Sequence, residues 1–176
     1  MNKEFELGYL NEGDAESLTR LMTSNADRFK VFFPKTLEQN LSIPDSRTFI
    51  SKKTREFMER SEYTFAIKST VNGAVLGLII LKNIHWDLLV GELAYCMDHR
   101  VQGRGWMSAG VRYISRFAFD ELGLTTLKIV VHKINFPSVR VAVKCGFQWQ
   151  KTLKEEYFIP NEAPMDMELY ELTHER

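Results

Sequence analysis

A chain of 176 residues and 20.5 kDa fits one domain, residues 1–176, able to bury roughly 70% of its unfolded surface without metal or disulfide staples. Its 23 basic side chains match 23 acidic ones, which argues against a broad footprint for direct nucleic-acid binding and leaves room only for a local basic pocket. An apolar fraction of 44%, with 10 glycines and 5 prolines, excludes collagen-like and low-complexity chains.

Residues 5–10 read as an opening strand. Asp14 then offers a side-chain oxygen to the free amides of a helix that carries Leu18, Leu21, Met22 and Phe29 on one face. Phe32-Phe33-Pro34 and the polar stretch to Pro44 read as an irregular connection. Asp45 or Ser46 caps a second helix with Phe49, Ile50 and Phe57 on its apolar face. Residues 63–68 and 75–81 are strands around Asn72-Gly73, a pair that tolerates the positive φ of a tight hairpin turn. Gly77, inside the second of them, signals a bulge or a close backbone approach.

A loop with His85, Trp86 and Asp87 leads to a strand at residues 91–97. Residues 105–122 space Met107, Val111, Ile114, Ala118 and Leu122 as a helix, and Gly123 stops it. Residues 125–132 are dense in β-branched side chains and read as a mostly buried strand. Pro137 opens a short helix that Gly146 ends. A strand starts at residues 147–150, and alternation over residues 165–169 gives a last, half-exposed strand. The order β-α-α-β-β-β-α-β-α-β-β describes a mixed α/β domain.

Cys96 and Cys145 form no CxxC pair and read as reduced packing residues. His85, His99, His132 and His174 show no ligand spacing, so no metal is expected. No apolar run of signal-peptide length opens the chain, and the longest apolar stretch, residues 74–81, is far too short to cross a bilayer. The expectation is a cytoplasmic protein with no membrane partner.

The densest chemical signal is Arg100-Val101-Gln102-Gly103-Arg104-Gly105, between a strand and a strong helix. Two glycines permit a tight loop, and the first helical turn leaves amides unpaired at the positive end of the helix dipole. Such a loop cradles phosphate. Arg100 and Arg104 add charge there, and the Ser108 hydroxyl adds a donor. A tight turn before a helix reads equally well from this run alone. It lacks the Lys-Ser/Thr ending of a P-loop and the third glycine of a dinucleotide fingerprint.

Arg100-x-x-Gly103-x-Gly105 resembles the pyrophosphate signature of the GNAT superfamily of N-acetyltransferases. Downstream, Asn135-Phe-Pro-Ser138-Val-Arg140-Val-Ala142-Val-Lys144-Cys-Gly146-Phe147 is similar to the pattern N-x-x-S-x-x-x-x-x-K-x-G-F of the RimJ/RimL-like branch. The resemblance implies an α/β GNAT fold: a central mixed, mostly antiparallel sheet of about seven strands, splayed at the cofactor site and flanked by about four helices. It implies acetyl-CoA as acyl donor and a primary amine as acceptor, a protein N-terminus or a small molecule. Relatives often pair, so a homodimer is also expected.

By the same resemblance, backbone groups of Cys96, Met97 and Asp98 hold the pantetheine arm. Amides of Gln102, Gly103, Arg104, Gly105, Trp106 and Met107 hold the pyrophosphate. Asn135 contacts the pantetheine region, and Arg140 and Lys144 reach the nucleotide end or form a solvated helix face. Glu92 is the base, acting through water, or a strand-end residue paired with a lysine. Ser138 bonds the CoA sulfur or satisfies backbone in the first turn. Many relatives place a general-acid tyrosine where this chain has Ala142. His85 and Trp86 shape the amine pocket or anchor a loop, and Phe33 walls the acceptor cleft or packs the first helix. The rival class is an acyl-CoA-binding module without turnover.

Overall fold

The computed structural model describes residues 4–159 and 161–174. The strands form one seven-stranded sheet in the order β1-β2-β3-β4-β5-β7-β6. They are β1 (Phe5–Tyr9), β2 (Tyr63–Ser69), β3 (Val75–His85), β4 (Val90–Met97), β5 (Thr126–Val131), β6 (Gln148–Tyr157) and β7 (Met165–Thr173). The α-helices are α1 (Ala15–Ser24), α2 (Ala26–Phe32), α3 (Pro34–Glu38), α4 (Ile43–Met58), α5 (Trp106–Arg116) and α6 (Phe136–Lys144). The strands follow the expected order. The helices exceed the expected number because the segment between β1 and β2 folds as four rather than two. By internal contacts the chain divides into two compact units, one running to Ile80 and including Tyr95–Gly110, the other comprising Leu81–Ala94 and the residues from Val111 onward.

In the first unit, β1 pairs antiparallel with β2, setting Phe5 opposite Ser69 and Tyr9 opposite Phe65. Asp14 does not cap the following helix as expected. Its Oδ2 accepts the Asn11 N–H at 2.7 Å and the buried Lys68 ammonium at 2.7 Å, while Asn11 supplies the capping oxygen to Gly13. Leu18, Leu21 and Met22 point into a core shared with Phe29, Phe49 and Ile50. The expected single helix breaks at Asn25, whose φ of −115° and ψ of 17° leave the helical region. The connection expected to be irregular contains α3, which starts at Pro34, a residue suited to a first turn. The cap of α4 is Ser42, whose hydroxyl accepts the Asp45 N–H at 3.3 Å. Ser46, expected as a possible cap, is instead buried against Asn40 and Thr19 at 2.8 Å each.

Gly77 marks a close approach: a Cβ there would stand 2.8 Å from the Cys96 carbonyl oxygen. Backbone cannot swing aside like a side-chain tip, so Gly77→Ala is expected to destabilise the protein by about 2 kcal/mol, the usual scale of overpacking. For this size that lowers the unfolding midpoint by roughly 4–8 °C. An unchanged midpoint in a thermal scan would contradict the approach.

In the second unit, β4 and β5 are parallel but pair at only three positions: Val90 with Thr126, Gly91 with Leu127 and Glu92 with Lys128. β5 continues through Ile129, Val130 and Val131, which remain paired on its other side with Tyr170, Leu169 and Glu168 of β7. β6 completes an antiparallel hairpin with β7, interrupted between Trp149 and Lys151 and between Leu153 and Tyr157. After α5 the chain widens into a π-helical turn, Phe117–Glu121, where the sequence pattern predicted one helix to Leu122. Gly123, at φ +74°, ends it as expected. Among the described residues no helix is long and apolar enough to cross a membrane.

Candidate functional site

The Arg100–Gly105 loop lies in the first unit, between β4 and α5. Asp98 starts it with an N–H donated to the Leu76 carbonyl at 2.8 Å. Its side chain is only 1% exposed. The carboxylate accepts the Arg100 N–H at 3.0 Å, Nε–H at 3.1 Å and Nη2–H at 2.6 Å. Burial pushes this carboxyl up, but the Arg100 hydrogen bonds and charge outweigh it and hold the group below the usual carboxylate range. The same pair raises the Arg100 guanidinium. Arg100 was expected to offer its charge to a phosphate; the charge is instead committed to Asp98, and the pair fixes the loop.

Gly103 and Gly105 both stand at φ +79°, and a Cβ at either would meet nothing within 4 Å. The glycines are therefore required by backbone conformation, and the space beside them is open. The first bond of the following helix runs from the Ala109 N–H to the Gly105 carbonyl at 3.0 Å. Amides from Gly103 to Met107 thus precede the ladder, at the positive end of an 11-residue helix. Arg104 lies with its guanidinium carbon 5.2 Å from the centroid of the Trp106 ring, and its Nη1 stands 3.7 Å from Glu4 Oε2. Trp106 stacks on Phe5 at 5.3 Å. Trp106, Met107 and Ser108 are all buried. They can offer backbone to a ligand but not their side chains, so the Ser108 hydroxyl is not the surface donor the sequence suggested.

Cys96 and Met97 are also buried and can likewise offer only backbone. Desolvation pushes the Cys96 thiol up to about 12, against a smaller effect of its Leu78 backbone hydrogen bond. A thiol so protonated is no nucleophile at neutral pH. Phe33, elsewhere in this unit, packs against the N-terminal core with its ring 6.3 Å from Phe29. That is the expected packing contact, and the ring stays half-buried.

In the second unit, Glu92 accepts the Asn83 amide at 2.9 Å and lies 3.2 Å from the Lys82 ammonium. Its side chain is 21% exposed, so a water can still reach the carboxylate. His85 is not in a loop: it ends β3, and its carbonyl accepts the Leu88 N–H at 3.2 Å. Trp86 follows in the turn and is half-buried. Asn135 precedes α6, and its backbone bonds His132 at 2.9 Å and Val139 at 3.0 Å, while its side chain makes no cap bond. Ser138 is half-buried in the first turn of α6, and Arg140 and Lys144 are exposed on the same helix. Ala142 is fully buried. No proton donor stands there.

The structure adds a group that sequence reasoning did not find: Asn25, with His99, 74 positions apart in sequence, whose contacts are described below. Among the described residues no cluster of three or more His, Cys, Asp or Glu side chains could hold a metal ion.

The acetyltransferase (GNAT) domain family matches residues 5–148. A probable N-acetyltransferase of Bacillus subtilis, YjcK, is 28% identical over 135 residues, 76% of this chain and 75% of its own. The fold is similar to that of a ribosomal-protein-S5-alanine acetyltransferase from Vibrio fischeri, with a TM-score of 0.90 at 17% identity over 98% of this chain and 94% of that one. It is also similar to the microcin C7 self-immunity acetyltransferase MccE, solved with acetyl-CoA and AMP, with a TM-score of 0.85 at 21% identity over 98% and 94% of the two chains.

Proposed function

The chain belongs to the acetyltransferase (GNAT) domain family, and from that premise we propose that it transfers an acetyl group from acetyl-CoA to a primary amine, with a protein N-terminal α-amine as the acceptor class. The observation that carries the reading is the open left-handed glycine pair ahead of α5. It presents successive amides at a helix N-terminus, which suits a pyrophosphate. The α-amine is supported by similarity to the ribosomal N-acetyltransferase YdaF of Bacillus subtilis and, in fold, to a ribosomal L7/L12 alpha-N-protein acetyltransferase.

Acetyl-CoA supplies an activated acyl carbon as a thioester. Amides from Gly103 to Met107 hold the pyrophosphate, whereas the Gln102 N–H, expected to join them, is donated to the His99 carbonyl at 3.4 Å; backbone of Cys96, Met97 and Asp98 holds the pantetheine arm. Asn135 contacts the same arm, and Arg140 and Lys144 face the nucleotide end. Glu92, through water, takes a proton from the amine, which is mostly protonated at neutral pH. The neutral nitrogen then forms the C–N bond as the C–S bond breaks, the nitrogen sheds its second proton to solvent, and the departing thiolate, which accepts a hydrogen bond from Ser138, takes a proton from solvent to leave as the thiol. His85 and Trp86 border the amine. No acyl-enzyme forms, in keeping with the protonated Cys96 thiol.

Alanine at position 142, where many relatives carry the general-acid tyrosine, favours a second reading, an acyl-CoA-binding module without turnover. Mass spectrometry separates the two. The protein is incubated with acetyl-CoA and a peptide with a free N-terminus, the same peptide blocked at its N-terminus, or a polyamine. Acetylation of the free peptide alone is the expected result. Acetyl-CoA binding with no acetylated product from any amine would assign the module reading.

A further inference from the structure

The geometry points to Asn25 as the positioning residue of the phosphate cradle, acting through His99. This rests on the cradle being the acyl-donor site. Asn25 is 3% exposed and sits where α1 gives way to α2. Its Nδ2 donates to the Leu21 carbonyl at 2.9 Å, which fixes the amide's orientation and turns Oδ1 outward from α1. That oxygen accepts the His99 backbone N–H at 3.1 Å and His99 Nδ1–H at 3.0 Å, with Arg28 Nη1 more distant at 3.3 Å. One carbonyl oxygen thus grips the first residue after Asp98 by both its main chain and its ring.

The ring nitrogen is fixed by its neighbours. Nδ1 faces Asn25 Oδ1 and stands 3.5 Å from Asp98 Oδ1. Both atoms are acceptors, so Nδ1 carries the hydrogen in neutral and protonated imidazole alike. The adjacent Asp98 carboxylate holds Arg100, and the glycine turn begins three residues further on. A loop with two left-handed glycines has little rigidity of its own. Its entry is anchored at two points: Asp98 grips Arg100, and Asn25 grips His99. The His99 ring itself is 55% exposed and lines an open cleft with Ser24 and Asn25, so replacing it removes the anchor without hollowing the core.

The test compares Asn25→Ala, His99→Ala and His99→Asn, the last of which returns an N–H near the position of Nδ1. Acetyl-CoA dissociation constants, and kcat and KM for donor and acceptor, are measured for each. Both alanine variants are expected to weaken acetyl-CoA about tenfold, with kcat at saturating donor within twofold, and His99→Asn to recover most of the loss. Hydrogen bonds that only order a loop act on donor binding and not on chemistry. Unchanged donor affinity in His99→Ala, or a His99→Asn no better than alanine, would overturn the assignment. So would a loss confined to kcat. Should the wild type bind no acetyl-CoA, the functional reading fails. The anchor is still tested by nitrogen-15 NMR, where neutral His99 is expected as the Nδ1–H tautomer and an Nε2–H tautomer contradicts it.

Discussion

Gly105→Val is expected to weaken acetyl-CoA binding at least 100-fold, read by titration calorimetry. Two costs combine. The residue stands at φ +79°, where a non-glycine residue costs on the order of 1–3 kcal/mol and a β-branched one is most disfavoured. If the loop holds its shape instead, the side chain projects into the open space at Gly105, next to the amides to which the proposed function assigns the ligand's phosphates. A 100-fold loss corresponds to about 2.7 kcal/mol, within reach of either cost. Gly73→Val is the control. Gly73 has φ +70° and equally open surroundings, but lies in the β2–β3 turn. It bears similar strain and no cradle, so its acetyl-CoA affinity is expected to match the wild type. Equal affinity in Gly105→Val and the wild type would place the phosphates elsewhere.

Glu92→Gln is expected to lower kcat about 100-fold, at the low end of what a positioned general base contributes, with KM for acetyl-CoA changed by less than twofold. The carboxylate lies 3.2 Å from Lys82 and accepts from Asn83, which gives it a plausible purely structural use. Magnitudes separate the two roles. Lys82 is 36% exposed, and an ion pair that open contributes about 0–1 kcal/mol to stability, too little to explain a 100-fold loss of turnover. Glutamine also keeps an oxygen for the Asn83 amide. Steady-state rates between pH 6 and 9 (assay range by choice) are the measurement. Turnover equal to the wild type throughout would return Glu92 to the strand-end role.

Much of the fold was legible because its strands and later helices are specified locally. The Asn72-Gly73 turn, the Gly123 stop and the apolar spacing of α5 act through nearest neighbours, and each element appears where its pattern lies. The segment between β1 and β2 was less legible, for a physical reason. Leu18, Leu21, Met22 and Phe29 keep helical spacing across Asn25, so periodicity alone sees one helix. The break is stabilised by bonds to His99, a partner no local window contains. The α4 cap was misplaced for a related reason: Ser46 looks like a cap beside Pro44, but its hydroxyl is taken by Asn40 and Thr19.

The candidate site divides along the same line. The glycines of the cradle are a backbone requirement, and backbone requirements are written in residue type. Side-chain roles depend on packing, which the motif does not encode. Asp98 therefore emerged as a clamp for Arg100 rather than a backbone contact alone. Ser108 is buried, and Phe33 packs half-buried against the core. Ala142 was legible as a departure from the family pattern, because the missing proton donor is a matter of residue type.

The most direct measurement is thermal unfolding with and without saturating acetyl-CoA, with ATP and NAD as controls. Ligand at about 100 times its dissociation constant adds roughly 2.7 kcal/mol, which for this chain length raises the midpoint by on the order of 5–10 °C. A rise with acetyl-CoA and none with ATP or NAD is the result the acyl-donor site predicts. No rise at millimolar acetyl-CoA, or an equal rise with ATP or NAD, would contradict it.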